Sequence, residues 1–289
     1  MDDKKNIVDN IKLRSSHSSI ATRNGGVSIF SSIFIISSLF YAQGIELFDY
    51  SVLIPLSLLT VVGMYDDVYD VNFKLKLIFQ IIAAKIIIDN GYILDNLHGF
   101  IGIFELNRII AQMFTIFIIV AIINAINFID GLDLLAICVV ALFILSFEYF
   151  AIDFSIFKNL SVLILFSILP LFYFNFRSRK KVFLGDAGSM FLGGIVSIYV
   201  LTILSNEYII KPQFDINKIL FVISILTYPI IDIIRVFFLR LSKGRSPFVA
   251  DKNHIHHILL KRLSSHIKSV LVIIIISLLS LIIFQFLKI

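Results

Sequence analysis

Tryptophan is absent from this chain, and cysteine occurs once, at Cys138. An interfacial aromatic belt must therefore rest on the 10 tyrosines and 29 phenylalanines. A single thiol excludes an internal disulfide, and inside an apolar run it reads as a buried, inert side chain. The apolar core of a cleavable signal peptide is also missing, because Met1 to Gly26 is polar. The first apolar helix is thus expected to act as an uncleaved signal anchor. No linker, low-complexity segment or internal repeat divides the sequence. The expectation is one integral membrane domain over residues 1–289.

What is present is apolar. Hydrophobic residues make up 58% of the chain and the mean hydropathy is +0.97. Soluble domains are about 45–50% apolar. Runs near the length of a bilayer crossing, roughly 17–25 residues, recur to the C-terminus. The predicted fold class is an all-α polytopic membrane protein, a bundle of about nine transmembrane helices. They are placed at Val27–Gly44, Tyr50–Tyr65, Phe73–Asp89, Ile109–Ile126, Leu132–Ile152, Leu160–Phe176, Ser189–Leu204, Ile219–Leu241 and Val270–Leu287. Lys85 inside the third suggests a face turned away from lipid, since a charge at mid-bilayer is costly.

The net charge of +5 matters through its placement. One side of the alternating loops holds Lys4, Lys5, Lys12, Arg14, Arg23, Lys74, Lys76, Arg177, Arg179, Lys180, Lys181 and the loop from Arg240 to Lys268. The other holds Arg108, Lys158, Lys211, Lys218 and Lys288. Lys and Arg collect on the cytoplasmic side, so the N-terminus is expected inside and the C-terminus outside. Four polar clusters from distant parts of the chain then share the cytoplasmic face. The longest outer loop, Asn90 to Arg108, carries three glycines and is expected to form a short hairpin.

In "MYDDVYD", Asp66 and Asp70 would share a helix face, with Asp67 pointing roughly 100° away. Close carboxylates suit divalent cations or a proton acceptor beside one, although a solvated helix end accounts for one such group alone. Lys74 and Lys76 follow directly, and a mixed acidic and basic edge suits phosphates. "NAINFIDGLD" places Asn124, Asn127, Asp130 and Asp133 at steps of three, along one stripe while the helix lasts. Interhelical hydrogen bonding is the plainer reading of such amides, but four polar groups in an apolar stretch favour a site. "FLGDAGS" sets Asp186 at a loop-to-helix junction, where glycines allow close backbone approach and a helix N-terminus favours anions, and where Asp186 reads equally as an N-cap. "DKNHIHH" gathers His254, His256 and His257, for a metal or an anionic ligand. The absence of nearby cysteine makes the pattern weak for zinc, and Lys252, Lys261 and Arg262 favour the anion. The N-terminal "RSSHSSIATRNGG", with Arg14, His17 and Arg23, reads alone as a basic, flexible juxtamembrane segment.

Taken in order, these motifs resemble the polyprenyl-phosphate N-acetylhexosamine-1-phosphate transferase family, from about Arg14 to Lys261. The "HIHH" form is similar to the undecaprenyl-phosphate N-acetylglucosamine-1-phosphate branch. The phospho-N-acetylmuramoyl-pentapeptide transferases of peptidoglycan synthesis are the second reading within the family. Two departures stand out: Leu134 replaces the glycine usual in "DGxDGLA", and the additional span that usually precedes the glycine pair is not seen.

The resemblance implies transfer of N-acetylhexosamine 1-phosphate from a UDP-sugar to undecaprenyl phosphate at the inner membrane, with release of UMP. The lipid-linked product would initiate cell-envelope polysaccharide such as O-antigen. It implies Asn127 and Asp186 as ligands of Mg2+, with Mn2+ as the alternative, and Asp66 with Asp67 as the catalytic pair. Lys74, Lys76, Asn124, Asp130, Asp133, His254, His256 and His257 would contact substrate. The partners are UDP-N-acetylhexosamine, undecaprenyl phosphate, membrane lipid and a second copy in a homodimer, with no nucleic acid. Rival readings are a lipid-carrier flippase, which needs polar groups on both faces, a membrane prenyltransferase, and a CDP-alcohol phosphotransferase, whose Ala-Arg pair "DGLDLL" lacks.

Overall fold

The computed structural model describes residues 8–9, 21–99, 102–152, 157–176, 181–214, 216–244 and 253–286. Arg14, His17, Arg177, Arg179, Lys180 and Lys252 lie outside them. The described residues form eleven helices and three two-residue strands. These are β1 (Val8–Asp9), β2 (Ala21–Thr22), α1 (Gly25–Ala42), α2 (Leu53–Tyr69), α3 (Phe73–Asp89), α4 (Arg108–Ile129), α5 (Leu135–Phe150), α6 (Lys158–Phe176), β3 (Lys181–Val182), α7 (Gly185–Leu204), α8 (Lys218–Ile225), α9 (Thr227–Leu241), α10 (Ile255–Leu263) and α11 (His266–Phe286).

The chain is a helical multi-pass membrane protein. Six of its helices, α1, α2 together with the 3-10 turn that leads into it (Tyr50–Tyr69), α4, α6, α7 and α11, are long and apolar enough to cross a bilayer. A seventh crossing follows if α8 and α9, bent by 75° where they meet, count as one. All nine expected segments are helical, but α3 has 17 residues and α5 only 16. The expected count of nine therefore exceeds what length and composition support. Lys85 also departs from expectation: its side chain is 48% exposed and pairs with Asp89 one turn on. A long Lys stem near a helix end can carry its charge to the interface without a protein-lined face.

The centre of the bundle is α7, which is buried along its span. Lipid tails are as apolar as leucine, so helices associate here through close packing and interhelical hydrogen bonds. Small residues make that contact. A Cβ on Gly26 of α1 would stand 2.1 Å from the Cα of Gly188. One on Gly63 of α2 would stand 2.6 Å from the Cα of Ala187, and one on Gly193 of α7 would stand 2.8 Å from the Cα of Ile123 on α4. Three helices thus lie on α7 at backbone distance. On a further side, α5 supplies Phe143 and Phe147, and the residue before α6 is Phe157; the three surround Tyr199 of α7.

The small sheet ties the N-terminal strand to the approach of α7. Strand β2 pairs antiparallel with β1 and parallel with β3. The backbone N–H groups of Gly25 and Gly26 donate to Phe183 and Leu184 at 3.0 and 2.8 Å. The start of α1 is thereby fixed beside the start of α7. At the far end, the expected hairpin forms, with Leu97 N–H donating to Phe104 at 2.7 Å. His98 Nε2 lies 2.6 Å from the Leu204 carbonyl, at the last turn of α7.

Candidate active site

Helix geometry brings the polar clusters to one end of the bundle. Helices α2 and α4 end there, and α3, α5, α7, α10 and α11 begin there. Asp66 lies in the last turn of α2. Its Oδ1 accepts from the Val71 N–H at 2.7 Å, and its Oδ2 accepts from Lys76 Nζ at 2.7 Å. The same ammonium donates to Asp186 Oδ2 at 2.9 Å. Asn127 donates through Nδ2 to Asp186 Oδ1 at 3.1 Å and to Ser189 Oγ at 2.8 Å. Four helices thus contribute to one chain of contacts, Asp66–Lys76–Asp186–Asn127.

Asp67 faces a different partner. Its two carboxylate oxygens accept from the backbone N–H groups of Asp186 and Ala187, at 3.0 and 3.1 Å. These are orphan donors in the first turn of α7, so Asp67 caps that helix from a neighbouring one. Arg23 Nη1 stands 3.8 Å from Asp67 Oδ1. Gly185 has φ +73°, and a Cβ there would meet Asp67 Oδ2 at 2.7 Å. Glycine is required at that position on both counts.

The "NAINFIDGLD" stripe divides once α4 ends at Ile129. Asn124 turns to α3, where its Nδ2 donates to Gln80 Oε1 at 2.7 Å, and Gln80 is 1% exposed. Asp130 is the C-cap of α4 and makes no side-chain hydrogen bond among the described residues. Enclosure by protein, and then the charges of Asp186, Asp67 and Asp133, push its carboxyl well above the usual range. Asp133 pairs with Lys181 of β3 and lies 3.3 Å from His266 Nδ1 of α11. Leu134 follows with φ +65°, the left-handed conformation that glycine adopts without strain.

The histidine segment closes the site from α9 and α10. His254 Nδ1 lies 2.6 Å from Asp232 Oδ2. His256 is fully buried, its Nδ1 lies 3.0 Å from the Tyr228 hydroxyl, and its Nε2 has no hydrogen-bond partner among the described residues. Burial, followed by the neighbouring His257 and His254, pushes its pKa down to about 3, so the ring is neutral. A Cβ on Gly131 would stand 2.5 Å from that Nε2. The histidines therefore pack directly on the turn that follows Asp130.

Of the sequence candidates, Asp66, Lys76, Asn127 and Asp186 form the connected centre. Asp67 stands behind it, Asp130 and His256 flank it, and Lys74 is exposed at the start of α3. Asp70 leaves the expected helix face, because α2 ends at Tyr69 and Asp70 turns left-handed at φ +50°. Gln80, Ser189, Tyr228 and Asp232 were missed. Gln80 and Asp232 did give a signal, a polar group inside an apolar run. Ser189 and Tyr228 gave none.

The residues fit a hard cation. Carboxylate oxygens of Asp66 and Asp186 hold the Lys76 ammonium, which occupies a cation's place between them, and the Asn127 amide adjoins through its bond to Asp186. Carboxylate and amide oxygens suit Mg2+ or Mn2+. Asp232, His254 and His256 form a second compact group with ligating atoms within 4.8 Å of one another.

Residues 50–204, from the approach of α2 to the end of α7, match the family described as glycosyl transferase family 4. The chain is 34% identical over 268 residues to the undecaprenyl-phosphate alpha-N-acetylglucosaminyl 1-phosphate transferase of Pasteurella multocida (strain Pm70), covering 88% of this chain and 71% of that one. The protein of the same name from Haemophilus influenzae is 33% identical, over 88% of this chain and 72% of that one. The decaprenyl-phosphate N-acetylglucosaminephosphotransferase of Mycobacterium leprae is 29% identical, over 90% and 71%.

Proposed function

This chain belongs to glycosyl transferase family 4, and on that premise we propose that it transfers an N-acetylhexosamine 1-phosphate from a UDP-sugar to a polyprenyl phosphate. The relatives' names supply undecaprenyl phosphate as acceptor and N-acetylglucosamine as the sugar. The observation that carries the reading is the Asp66–Lys76–Asp186–Asn127 centre, built at helix ends of an otherwise apolar bundle. A lipid tail lies among such helices while its phosphate reaches their polar ends.

In the reaction, an oxygen of the polyprenyl phosphate attacks the sugar-bearing phosphorus. The bond from that phosphorus to the bridging oxygen breaks, and UMP leaves with the oxygen. A phosphate monoester, with a second pKa near ~6, is mostly dianionic at neutral pH. Repulsion between anions is therefore a larger obstacle than proton removal, and catalysis is chiefly positioning and charge neutralisation. Asp186 and Asn127 would hold the divalent cation, and Asp66 would orient the acceptor phosphate and take any remaining proton. When bound, the ion neutralises charge on the diphosphate oxygens. Asp67 keeps the first turn of α7 in place for Asp186. Lys76 moves positive charge to the phosphates, and Asp130 and His256 contact the nucleotide-sugar side. Asn124, held by Gln80, keeps α4 in register with α3. Lys74, Asp133, His254 and His257 complete the polar rim.

The nine helical segments alternate between the site end and the hairpin end, which supports nine crossings with the short α3 and α5 buried or tilted. The Lys and Arg bias supports a cytoplasmic site and an inside N-terminus. A flippase would need polar groups along the path to the other face, whereas here they collect at one end.

The test uses purified protein with labelled UDP-N-acetylglucosamine, undecaprenyl phosphate and Mg2+. Release of UMP with formation of a lipid diphosphate sugar is expected, and Asp66→Asn and Asp186→Asn should each abolish it. Full transfer by both variants would remove the proposed roles.

A further inference from the structure

Tyr228 and Asp232 lie one turn apart on α9, and each holds one imidazole of the segment that starts α10. Asp232 is 1% exposed, and an ionised carboxylate only accepts hydrogen bonds. His254 Nδ1, 2.6 Å from Asp232 Oδ2, must therefore carry the proton. Arg240 Nη2, which only donates, lies 3.4 Å from His254 Nε2, so Nε2 offers its lone pair. Two partners of opposite character thus select the same tautomer. The other Asp232 oxygen accepts from the Ile255 N–H at 2.7 Å, which fixes the first turn of α10 and hence the place of His256.

The Tyr228 hydroxyl lies 3.0 Å from His256 Nδ1. A phenol donates to a neutral imidazole nitrogen more readily than the reverse, which leaves the His256 proton on Nε2. That atom is buried and unpartnered among the described residues, and it sits where a side chain on Gly131 would begin. A buried donor without a partner is uncommon in a folded protein and calls for an acceptor. The neighbouring Asp130 and the centre around Asp186 are where the family's phosphates would lie.

We propose that Tyr228 and Asp232 are positioning residues that fix the two imidazoles, so that His256 presents Nε2–H to a phosphate oxygen of the nucleotide-sugar diphosphate bound beside Gly131. The identity of that diphosphate rests on the transferase reading. A metal held by Asp232, His254 and His256 fits less well. The 2.6 Å Asp–His contact is a hydrogen bond, and the guanidinium of Arg235, 3.5 Å from Asp232, opposes a dication, as does that of Arg240.

The experiment measures UMP release by full-length protein in detergent. Release by the wild type checks the transferase reading separately. Tyr228→Phe is expected to lower kcat/KM for UDP-N-acetylglucosamine about tenfold, the size of one lost hydrogen bond to a charged group, with KM for undecaprenyl phosphate unchanged. In a His256→Ala background it should add nothing, because the group it positions is gone. Asp232→Asn turns an amide donor towards His254 Nδ1 and should act in the same direction, with no further effect in His254→Ala. If Asp232→Asn does not fold, the near-isosteric Tyr228→Phe decides alone. Wild-type kcat/KM in Tyr228→Phe, losses that multiply independently with His256→Ala, or stoichiometric zinc in the purified protein would each overturn the assignment.

Discussion

Asp67 Oδ1 lies 3.0 Å from the backbone nitrogen of Asp186, the residue at the heart of the centre. Adjacent carboxylates on α2 therefore have separable tasks. Asp67 holds the start of α7, while Asp66 faces Lys76 and the open site. Asp67→Ala leaves two helix N–H groups without their acceptors and should cost about 0.5–2 kcal/mol of stability, as lost caps do. Asp66→Asn keeps an oxygen for the Val71 N–H and leaves Asp186 to hold Lys76, so it should leave the start of α7 in place and cost less stability than Asp67→Ala, while abolishing turnover. Thermal unfolding in detergent and UMP release, measured on both variants, check the division. Equal stability of Asp67→Ala and wild type would refute the capping role.

The Lys76 ammonium bridges Asp66 and Asp186, which would otherwise repel each other. Lys76→Met leaves both carboxylates uncompensated, and a divalent cation, or a proton shared between them, is then left to neutralise them. Mg2+ should raise the thermal midpoint of Lys76→Met more than that of the wild type, since stabilisation follows occupancy by a ligand of the folded state. Turnover should fall, because the positive charge offered to phosphate is lost. An unchanged or weaker response to Mg2+ would mean that Lys76 and the ion do not share a place.

Backbone contact between α2 and α7 positions both aspartates. A Cβ on Gly63 would stand 2.4 Å from the Asp186 carbonyl oxygen, so Gly63→Ala must push the helices apart. Forced overpacking costs about 1–3 kcal/mol, and here it also displaces Asp66 and Asp67 from their partners. The expected result is a lower thermal midpoint together with lost transfer. Gly44→Ala is the control. It meets nothing within 4 Å, and its φ of +73° leaves only backbone strain, about 1–2 kcal/mol. Full activity in Gly63→Ala would show that the close approach is dispensable.

The sequence made the acids of the centre legible through their cost. Carboxylates and amides in apolar runs demand partners, and the charge bias put their clusters on one face. Individual roles were less legible. Asp67 caps a helix that begins more than a hundred residues later, and no local spacing encodes such a contact. Asn124 shared a stripe with Asn127, but α3 presents Gln80 to one and α7 presents Asp186 to the other. Asp232 sits in the apolar run Ile219–Leu241 and carried the same signal as Asp66. Its role emerged only with the 75° bend that brings α9 against α10. The span count goes beyond what length and composition support for a plainer reason. Hydropathy locates apolar segments well, but neighbours, as well as length, decide whether a 16-residue helix crosses a bilayer.

The proposed sidedness has a direct check. The hairpin carries Glu105, and the turn after α9 carries Lys243, both exposed. If the chain crosses the membrane nine times from an inside N-terminus, these residues lie on opposite sides. Single cysteines there, in a Cys138→Ala background that removes the native thiol, should respond oppositely to a membrane-impermeant maleimide. Glu105→Cys is labelled in intact cells, whereas Lys243→Cys is labelled only after the membrane is opened. Seven crossings would follow if α3 and α5 do not traverse, and α5 could then not carry the chain away from Asp133. Labelling of both cysteines from the same side would therefore contradict the nine-crossing arrangement, and labelling of Lys243→Cys in intact cells would contradict the cytoplasmic placement of the site.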